Sequence, residues 1–316
     1  MFESIAGNGP ISFPGLGIEI NPPQGFTLFG KLHIQFYGLI IAIGLILAVV
    51  YGLRRSKKFG LKQDDILDGV LWIVPVAIIC ARLYYVIFEW GQYKDDPISI
   101  LYIWKGGLAI YGGVIGAAIC VVIHCKIKKI SLGAVLDLVA LGFMIGQAIG
   151  RWGNFFNREA FGAETESFLR MGLMLTADGK YSQVMHYFHP TFLYESLWNA
   201  VGFVALHLLS KKRQYDGQIA LGYVAWYGLG RALIEGLRTD SLYILKEQLG
   251  EVLRVSQLLA AASCVAAVTV LVIMAFRKHD KAKLFVNRVA AKAAEDAAAA
   301  EESVEELTEE PAEDAE

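Results

Sequence analysis

The sequence predicts an all-α polytopic membrane protein, in which seven transmembrane helices carry a small extracytoplasmic cap. The 316 residues are 55% hydrophobic, and the apolar residues are grouped in long blocks, as in proteins that cross a bilayer several times. Basic residues follow every second block, which is the charge pattern of loops on the cytoplasmic side of a membrane. These two observations determine the predicted fold class.

Seven apolar blocks are long enough, or nearly so, to span the hydrocarbon core as helices, which takes about 20 residues. The predicted helices lie near residues 34–53, 66–90, 107–125, 132–150, 191–210, 217–236 and 255–276, and together form a transmembrane catalytic domain over 34–277. Glycines recur every four residues at Gly112 and Gly116, and again at Gly142, Gly146 and Gly150. This spacing predicts close approach of neighbouring helices.

The lysines and arginines predict the orientation of the chain. Basic clusters follow the first, third, fifth and seventh blocks and begin at Arg54, Lys126, Lys211 and Arg277. By the positive-inside rule the N-terminus is outside and the C-terminus is cytoplasmic.

Three further segments lie outside the predicted helices. Residues 1–33 are rich in Gly and Pro, lack the basic start of a cleavable signal peptide, and are expected to be extracytoplasmic. Residues 158–190 form the longest outer connection, and strand-like runs on either side of Asp178-Gly179 predict a small cap. Residues 278–316 form an acidic tail, and over residues 290–316 alanine alternates with acidic blocks, which predicts a solvated, disordered or loosely helical cytoplasmic segment.

The composition argues against several classes of function. A formal net charge of −2, with no basic stripe outside the membrane flanks, predicts no nucleic-acid partner. The cysteines have no C-x-x-C spacing and read as packing residues: Cys80, Cys120, Cys125 and Cys264. His186 and His189 have a spacing compatible with metal ligands, but no third ligand is evident, so structural roles are favoured. We therefore predict no metal and no cofactor.

Polar residues gather at the outer ends of the predicted helices. Gln147 and Arg151 stack at the end of the fourth helix, and Arg82, Tyr85 and Glu89 share one face of the second. Further polar residues share one face of the sixth helix or begin the first, third and fifth helices: Tyr227, Arg231, Glu235, Arg238, Tyr37, Tyr111, Tyr194 and Glu195.

Each of these arginines has a structural alternative. Arg151 alone could be an anchor whose charged head reaches the interface. An ion pair between Arg82 and Glu89 that merely fixes the bundle is as consistent with the sequence as a functional pair.

The chemistry of the outer cluster points to an anionic lipid. A guanidinium fork matches the geometry of phosphate and keeps its charge when partly desolvated. The anionic ligand at this depth is a phospholipid headgroup. A lipid or anion transporter is the alternative, but it would place polar residues near the midplane in two related halves. No internal repeat is evident, which favours an enzyme.

The stretch Gly150-Arg-Trp-Gly-Asn-Phe-Phe-Asn-Arg-Glu159 resembles the signature of bacterial prolipoprotein diacylglyceryl transferases, approximately G-R-x-G-N-F-x-N-x-E. The resemblance extends over residues 34–277. Four further stretches match in order: Gln35-Phe-Tyr37-Gly-Leu, Gly106-Gly-Leu-Ala-Ile-Tyr111-Gly-Gly, His189-Pro-Thr-Phe-Leu-Tyr-Glu195 and Tyr227-Gly-Leu-Gly-Arg231-Ala-Leu-Ile-Glu235.

The resemblance implies a reaction, its partners and its location. The diacylglyceryl group of phosphatidylglycerol would move to the lipobox cysteine of a preprolipoprotein signal peptide, forming a thioether and releasing glycerol phosphate. The enzyme would lie among the lipids of the bacterial cell membrane with its site facing the outer leaflet. This transfer is the first step of lipoprotein maturation.

The resemblance also implies roles for individual residues. Arg151 and Asn154 would hold the headgroup, with Asn157, Tyr37 and Tyr227 completing the binding site. Arg231, oriented by Glu235, would stabilise the departing phosphate, and Glu159 and Glu195 would shape the catalytic site.

One position departs from many members of the family. Tyr111 stands where those members have a histidine, and an unperturbed tyrosine, with a pKa of about 10, is a poor base at neutral pH. Three alternatives stay open: an arginine activates Tyr111, the base is elsewhere, or no dedicated base is needed.

Overall fold

The computed structural model describes residues 9–30, 32–103, 106–177, 180–238 and 254–309. The chain forms two compact units. The first is built from the described parts of Met1–Tyr51, Val139–Arg213 and Gln218–Lys278, and the second from those of Gly52–Leu138, Gln214–Gly217 and His279–Glu316.

Four short strands precede the first helix: β1 (Ile11–Phe13), β2 (Ile18–Ile20), β3 (Gly25–Leu28) and β4 (Leu32–Gln35). The next elements are α1 (Phe36–Arg55), α2 (Gln63–Phe88), the single-turn α3 (Trp90–Tyr93), α4 (Ile110–Lys128) and α5 (Leu132–Asn157). In the rest of the described residues the longer elements are β5 (Met171–Ala177), β6 (Lys180–Phe188), α6 (Thr191–Ser210), α7 (Gln218–Ile234), α8 (Val255–Ala275) and α9 (Phe285–Glu309).

Each of the seven predicted segments forms a helix. Within the described residues six helices are long and apolar enough to cross a membrane, namely α1, α2, α4, α5, α6 and α8. The chain is therefore a polytopic membrane protein. The seventh segment, α7, has only 17 residues, fewer than the roughly 20 that span the hydrocarbon core. The largest difference in boundary is at the end of α5, which continues to Asn157 instead of ending at residue 150.

The segment predicted as a cap contains an antiparallel hairpin of β5 and β6, with Met171 opposite Phe188. The predicted turn at Asp178-Gly179 lies outside the described residues. The sequence did not predict that the N-terminal segment joins this hairpin. Ser12 of β1 pairs with Gly172, which gives a four-stranded sheet in the order β2-β1-β5-β6.

An apolar cluster packs this sheet against the ends of two helices. Its buried members are Ile11, Phe155, Phe161, Met171, Leu173, Phe188 and Phe192. Phe155 belongs to the last turn of α5 and Phe192 to the first turn of α6. The sheet therefore fixes the helix ends that carry the signature.

Two tryptophans join α6 to α7. The rings of Trp198 and Trp226 stack with their centroids 4.6 Å apart, and each indole N–H donates to the other residue's carbonyl oxygen at 3.0 Å. A Cβ atom on Gly202 or Gly230 would overlap an indole nitrogen, so both positions require glycine. In the second unit Gly112 and Gly116 have the predicted role, because α2 approaches them closely: a Cβ on Gly116 would lie 2.6 Å from Cys80 Cβ.

The tail begins with an anchor. Asp216 Oδ2 accepts hydrogen bonds from the Phe285 N–H at 2.9 Å and from Ser131 Oγ at 3.3 Å. Leu284 is buried, and the ring of His279 stacks on Tyr215 with centroids 4.7 Å apart. Beyond this anchor the tail is helical, and residues 287–301 are exposed throughout. The sequence predicted a disordered or loosely helical tail, and within the described residues it is a helix to Glu309.

The contacts of residues 279–285 with Tyr215 and Asp216 predict which part of the tail can be removed without loss of stability. Removing residues 290–316 should leave thermal stability in detergent unchanged, because those described are exposed. Removing residues 279–316 should lower the Tm by about 5 °C or more, since it exposes the surface covered by Leu284 and the cap at Asp216. Asp216→Ala should lose part of this stability and Asp216→Asn, which keeps an acceptor, much less. Equal stability of the two truncated chains would show that residues 279–289 do not stabilise the protein.

Candidate functional site

The signature forms the last two turns of α5 and the residues that follow. Arg158, just beyond the helix, has a left-handed φ of 54° and is only 2% exposed. It donates to the carbonyl oxygens of Gly9, Phe156 and Pro22 and to Asn21 Oδ1 over 2.9–3.2 Å. Burial lowers the pKa of Arg158 from its ordinary value. A guanidinium group nevertheless keeps its positive charge in proteins. Arg158 therefore ties the N-terminal segment to the signature, a role that the sequence did not show.

The centre of the site is the carboxylate of Glu195, in the first turns of α6. Its side chain is 5% exposed and meets three arginines. Glu195 Oε2 lies 2.5 Å from Arg151 Nη2, and Oε1 lies 3.2 Å from Arg231 Nη1 and 3.3 Å from Arg238 Nη1. Arg238 shares the predicted face of Arg231 but was not among the predicted site residues.

Glu235 holds Arg231 from the other side. Arg231 Nη2 is 2.6 Å from Glu235 Oε2, as expected of residues four apart on a helical turn. The start of α8 supports this carboxylate: Ser256 Oγ donates to Glu235 Oε1 at 2.5 Å, and Arg254 donates to the Glu235 carbonyl oxygen. No sequence pattern pointed to Arg254 or Ser256, because nothing at the start of an apolar block shows which distant residues it will contact.

The amide of Asn154 connects the arginine cluster to Glu159. Arg151 Nη1 donates to Asn154 Oδ1 at 3.4 Å, and Asn154 Nδ2 donates to Glu159 Oε1 at 2.9 Å. Among the described contacts Glu159 is not paired with an arginine. Glu159 is therefore less neutralised than Glu195 and Glu235, which are both paired with arginines.

The charges of the cluster favour an anion. Three guanidinium groups, on Arg151, Arg231 and Arg238, face the carboxylates of Glu195 and Glu235, so one formal positive charge is left over within this group. Arg151 and Arg231 keep 21% and 18% of their side chains exposed, against 9% for Arg238. Two partly exposed arginine forks with excess positive charge match the oxygens of a phosphate group.

Of the other predicted site residues, three belong to the same unit as the arginine cluster and one does not. Tyr37 packs against the signature, where a Cβ on Gly153 would lie 2.8 Å from the tyrosine ring. Tyr227 stacks on Tyr223 with ring centroids 5.7 Å apart, and Asn157 is half-buried at the end of α5. Tyr111 begins α4, is 49% exposed, and belongs to the second unit, whereas the other nine predicted residues belong to the first.

The alternative of an ion pair between Arg82 and Glu89 is wrong. The buried Arg82 guanidinium donates to the carbonyl oxygens of Ser99, Ile100, Gly106 and Gly107 over 2.7–2.9 Å. Glu89 Oε2 accepts instead from the Gln92 amide at 2.8 Å. Arg82 is structural, as the alternative supposed, but it holds the loop that leads to Tyr111.

The two histidines of the outer connection make local contacts. His186 Nδ1 lies 2.9 Å from Glu164 Oε1, and His189 Nδ1 lies 3.3 Å from the Tyr194 hydroxyl. Both contacts are within or beside the hairpin of β5 and β6. They agree with the structural roles that the sequence favours.

The cluster predicts that Glu195 contributes more to the stability of the protein than the exposed carboxylate of Glu164 does. Glu195→Gln should lower the Tm in detergent by on the order of 10 °C, because breaking a buried ion pair costs about 3–5 kcal/mol. Added glycerol phosphate should restore part of the loss by supplying a replacement anion. Glu164→Gln is the matched control, since its carboxylate is 64% exposed and such pairs contribute about 1 kcal/mol or less. Equal shifts in the two variants would contradict a central role for Glu195.

Comparison with known proteins relates this chain to one family. The family model described as prolipoprotein diacylglyceryl transferase matches residues 23–273.

Curated relatives that match over most of their length are named phosphatidylglycerol–prolipoprotein diacylglyceryl transferase. The relative from Bacillus velezensis is 44% identical over 266 residues, covering 83% of this chain and 94% of its own. That from Enterococcus faecalis is 43% identical over 273 residues, covering 83% and 93%. That from Limosilactobacillus reuteri is 42% identical over 284 residues, covering 87% and 98%.

Proposed function

Because the chain belongs to the prolipoprotein diacylglyceryl transferase family, we propose that it transfers diacylglyceryl from phosphatidylglycerol to the lipobox cysteine of a preprolipoprotein. A bond forms between the cysteine sulfur and the glyceryl carbon, and the bond from that carbon to the phosphate oxygen breaks. The thiol gives up its proton, and glycerol phosphate leaves with the electron pair. The observation that supports this most directly is the cluster of three arginines around Glu195.

The cluster suits the leaving group. Negative charge grows on the bridging phosphate oxygen as the bond breaks, and donors already in place stabilise it without reorganisation. Arg231 is held by Glu195 and Glu235 at once, so its fork has a fixed direction. We assign Arg231 to the departing phosphate, with Glu235 as its positioning residue.

Arg151 is the better ligand for the headgroup before reaction. Its Nη2 is held by Glu195 at 2.5 Å, but its Nη1 makes only a 3.4 Å contact with Asn154. That weak contact can be exchanged for a phosphate oxygen, and Asn154 Oδ1 is then free to accept a hydrogen bond from a hydroxyl of the headgroup. Tyr37, Tyr227 and Asn157 complete the pocket in this proposal.

The thiol must lose a proton, because a cysteine with a pKa of about 8.5 is mostly neutral at pH 7. Glu159 is bound by an amide rather than by a guanidinium, so among the described contacts its oxygens are not paired with a positive charge, unlike those of Glu195. We therefore prefer Glu159 to Tyr111 as the proton acceptor, and Tyr111 stays a predicted catalytic residue.

We further propose the topology that the charges predict. The N-terminus and the hairpin of β5 and β6 lie outside the cytoplasmic membrane of a bacterium, and α9 lies in the cytoplasm. The helix α7 continues into the single turn Glu235–Leu237, which brings the seventh span to about the needed length. The site then faces the outer leaflet.

A reconstituted reaction tests the function. Purified protein with phosphatidylglycerol and a lipobox peptide should give a peptide whose mass has increased by one diacylglyceryl group. The same peptide with serine in place of cysteine is the control and should leave the lipid unconsumed. Lipid movement between leaflets that needs no cysteine, with no modified peptide, would indicate a transporter and overturn the proposal.

A pair of variants separates charge from geometry at Arg151. Lysine keeps the charge but loses the planar fork. Arg151→Lys should therefore resemble Arg151→Ala, with each losing on the order of a hundredfold or more in initial rate at saturating lipid. Rates are normalised to folded protein in detergent. Near-normal turnover by the lysine variant would show that Arg151 is an interfacial anchor.

A further inference from the structure

The hairpin of β3 and β4 has one apolar and one polar face. Phe26 pairs with Ile34, and Leu28 with Leu32, whereas Thr27 pairs with His33 between them. Successive side chains of a strand point to opposite sides, so the side chains of Phe26, Leu28 and Ile34 share a face. Thr27 Oγ1 and His33 Nδ1, 3.3 Å apart, make the polar contact on the other face.

The tip of this hairpin presents a bare aromatic ring. Phe29 is 91% exposed and has a left-handed φ of 51°, followed by Gly30 at 68°. A bulky side chain with positive φ is rare because its Cβ crowds the backbone. The turn thus places a phenylalanine at a position where the backbone favours glycine or asparagine. Within the described protein the Phe29 ring makes no packing contact that could offset this backbone strain.

The hairpin is continuous with a membrane-spanning helix. Its second strand ends at Gln35 and α1 begins at Phe36. Along α1 the apolar side chains of Leu39, Ile43 and Ile46 are 40–60% exposed, as expected of a surface that lipid covers. The hairpin therefore projects from the end of the helix that meets the headgroup region.

A row of rings connects the hairpin to the signature. Phe26 lies 5.8 Å from Phe36, and Phe36 lies 5.2 Å from Phe156 between ring centroids. Phe156 stands between Asn154 and Arg158 in the signature. These ring contacts join the hairpin to the end of α5.

We propose that the hairpin of β3 and β4 is a lipid-inserting anchor, with Phe29 in the boundary between headgroups and acyl chains. The partner is the surface of the same phospholipid leaflet. The apolar face of the hairpin lies towards the acyl chains and its polar face towards water, as in other amphipathic segments at interfaces. The anchor sets the depth of the signature, whichever reaction occurs there.

Fluorescence quenching tests the insertion independently of activity. Phe29→Trp protein is reconstituted in phosphatidylglycerol-containing vesicles, with or without lipids brominated near the ester end of the acyl chains. The signal added by the new tryptophan should be quenched at least twofold. Ala298→Trp, on the exposed part of α9, is the matched control on the same background of six native tryptophans. Equal quenching at the two positions, or none at position 29, would overturn the anchor.

A second variant tests whether the hairpin sets the depth of the signature in the leaflet. Phe29→Asn suits the left-handed turn, so its Tm in detergent should equal or exceed that of the unaltered protein. Transfer activity should fall several-fold in vesicles but stay near normal in detergent micelles, which have no leaflet plane to set a depth. An equal loss of transfer activity in vesicles and micelles, or no loss in vesicles, would show that the hairpin does not set the depth of the signature. If neither protein transfers lipid in either medium, the proposed function fails while the quenching result still stands.

Discussion

The structure depends on one buried carboxylate. Glu195 stands where α5, α6 and the end of α7 meet, and its two oxygens receive Arg151, Arg231 and Arg238. Each guanidinium would be costly to bury without a partner, and the buried carboxylate would be costly without the guanidinium groups. The four groups therefore stabilise one another only when three segments far apart in sequence have reached their final positions. This mutual requirement makes the cluster a rigid site.

The surroundings of Glu195 hold that geometry. Ser196 donates to the carbonyl oxygen of Ala148 at 2.7 Å and accepts from the indole of Trp152 at 3.2 Å, which fixes α6 against α5. The stacked pair of Trp198 and Trp226 fixes α6 against α7. Preorganised donors cost no rearrangement when charge develops, so this packing is part of the proposed chemistry.

The arginines of this chain fall into two groups by partner. Arg82 and Arg158 are almost fully buried, and most or all of their hydrogen bonds go to backbone carbonyl oxygens. They organise loops, and few of their donors are left for a ligand. Arg151 and Arg231 meet carboxylates and stay partly exposed, which leaves donors that can be exchanged for phosphate oxygens. The two groups of arginines are therefore distinguished by their hydrogen-bond partners.

The sequence by itself determined the helices, because apolar length and residue spacing are local properties that each segment carries alone. It also indicated Glu235 beside Arg231, since residues four apart on a helix must meet. Only the tertiary structure decided the partners of Arg82 and Arg158, the strand that Ser12 adds to Gly172, and the support that Ser256 gives to Glu235. Apart from the contact of Arg158 with Phe156, these contacts join residues from 17 to 160 positions apart, and no local pattern encodes which distant group will satisfy a buried charge.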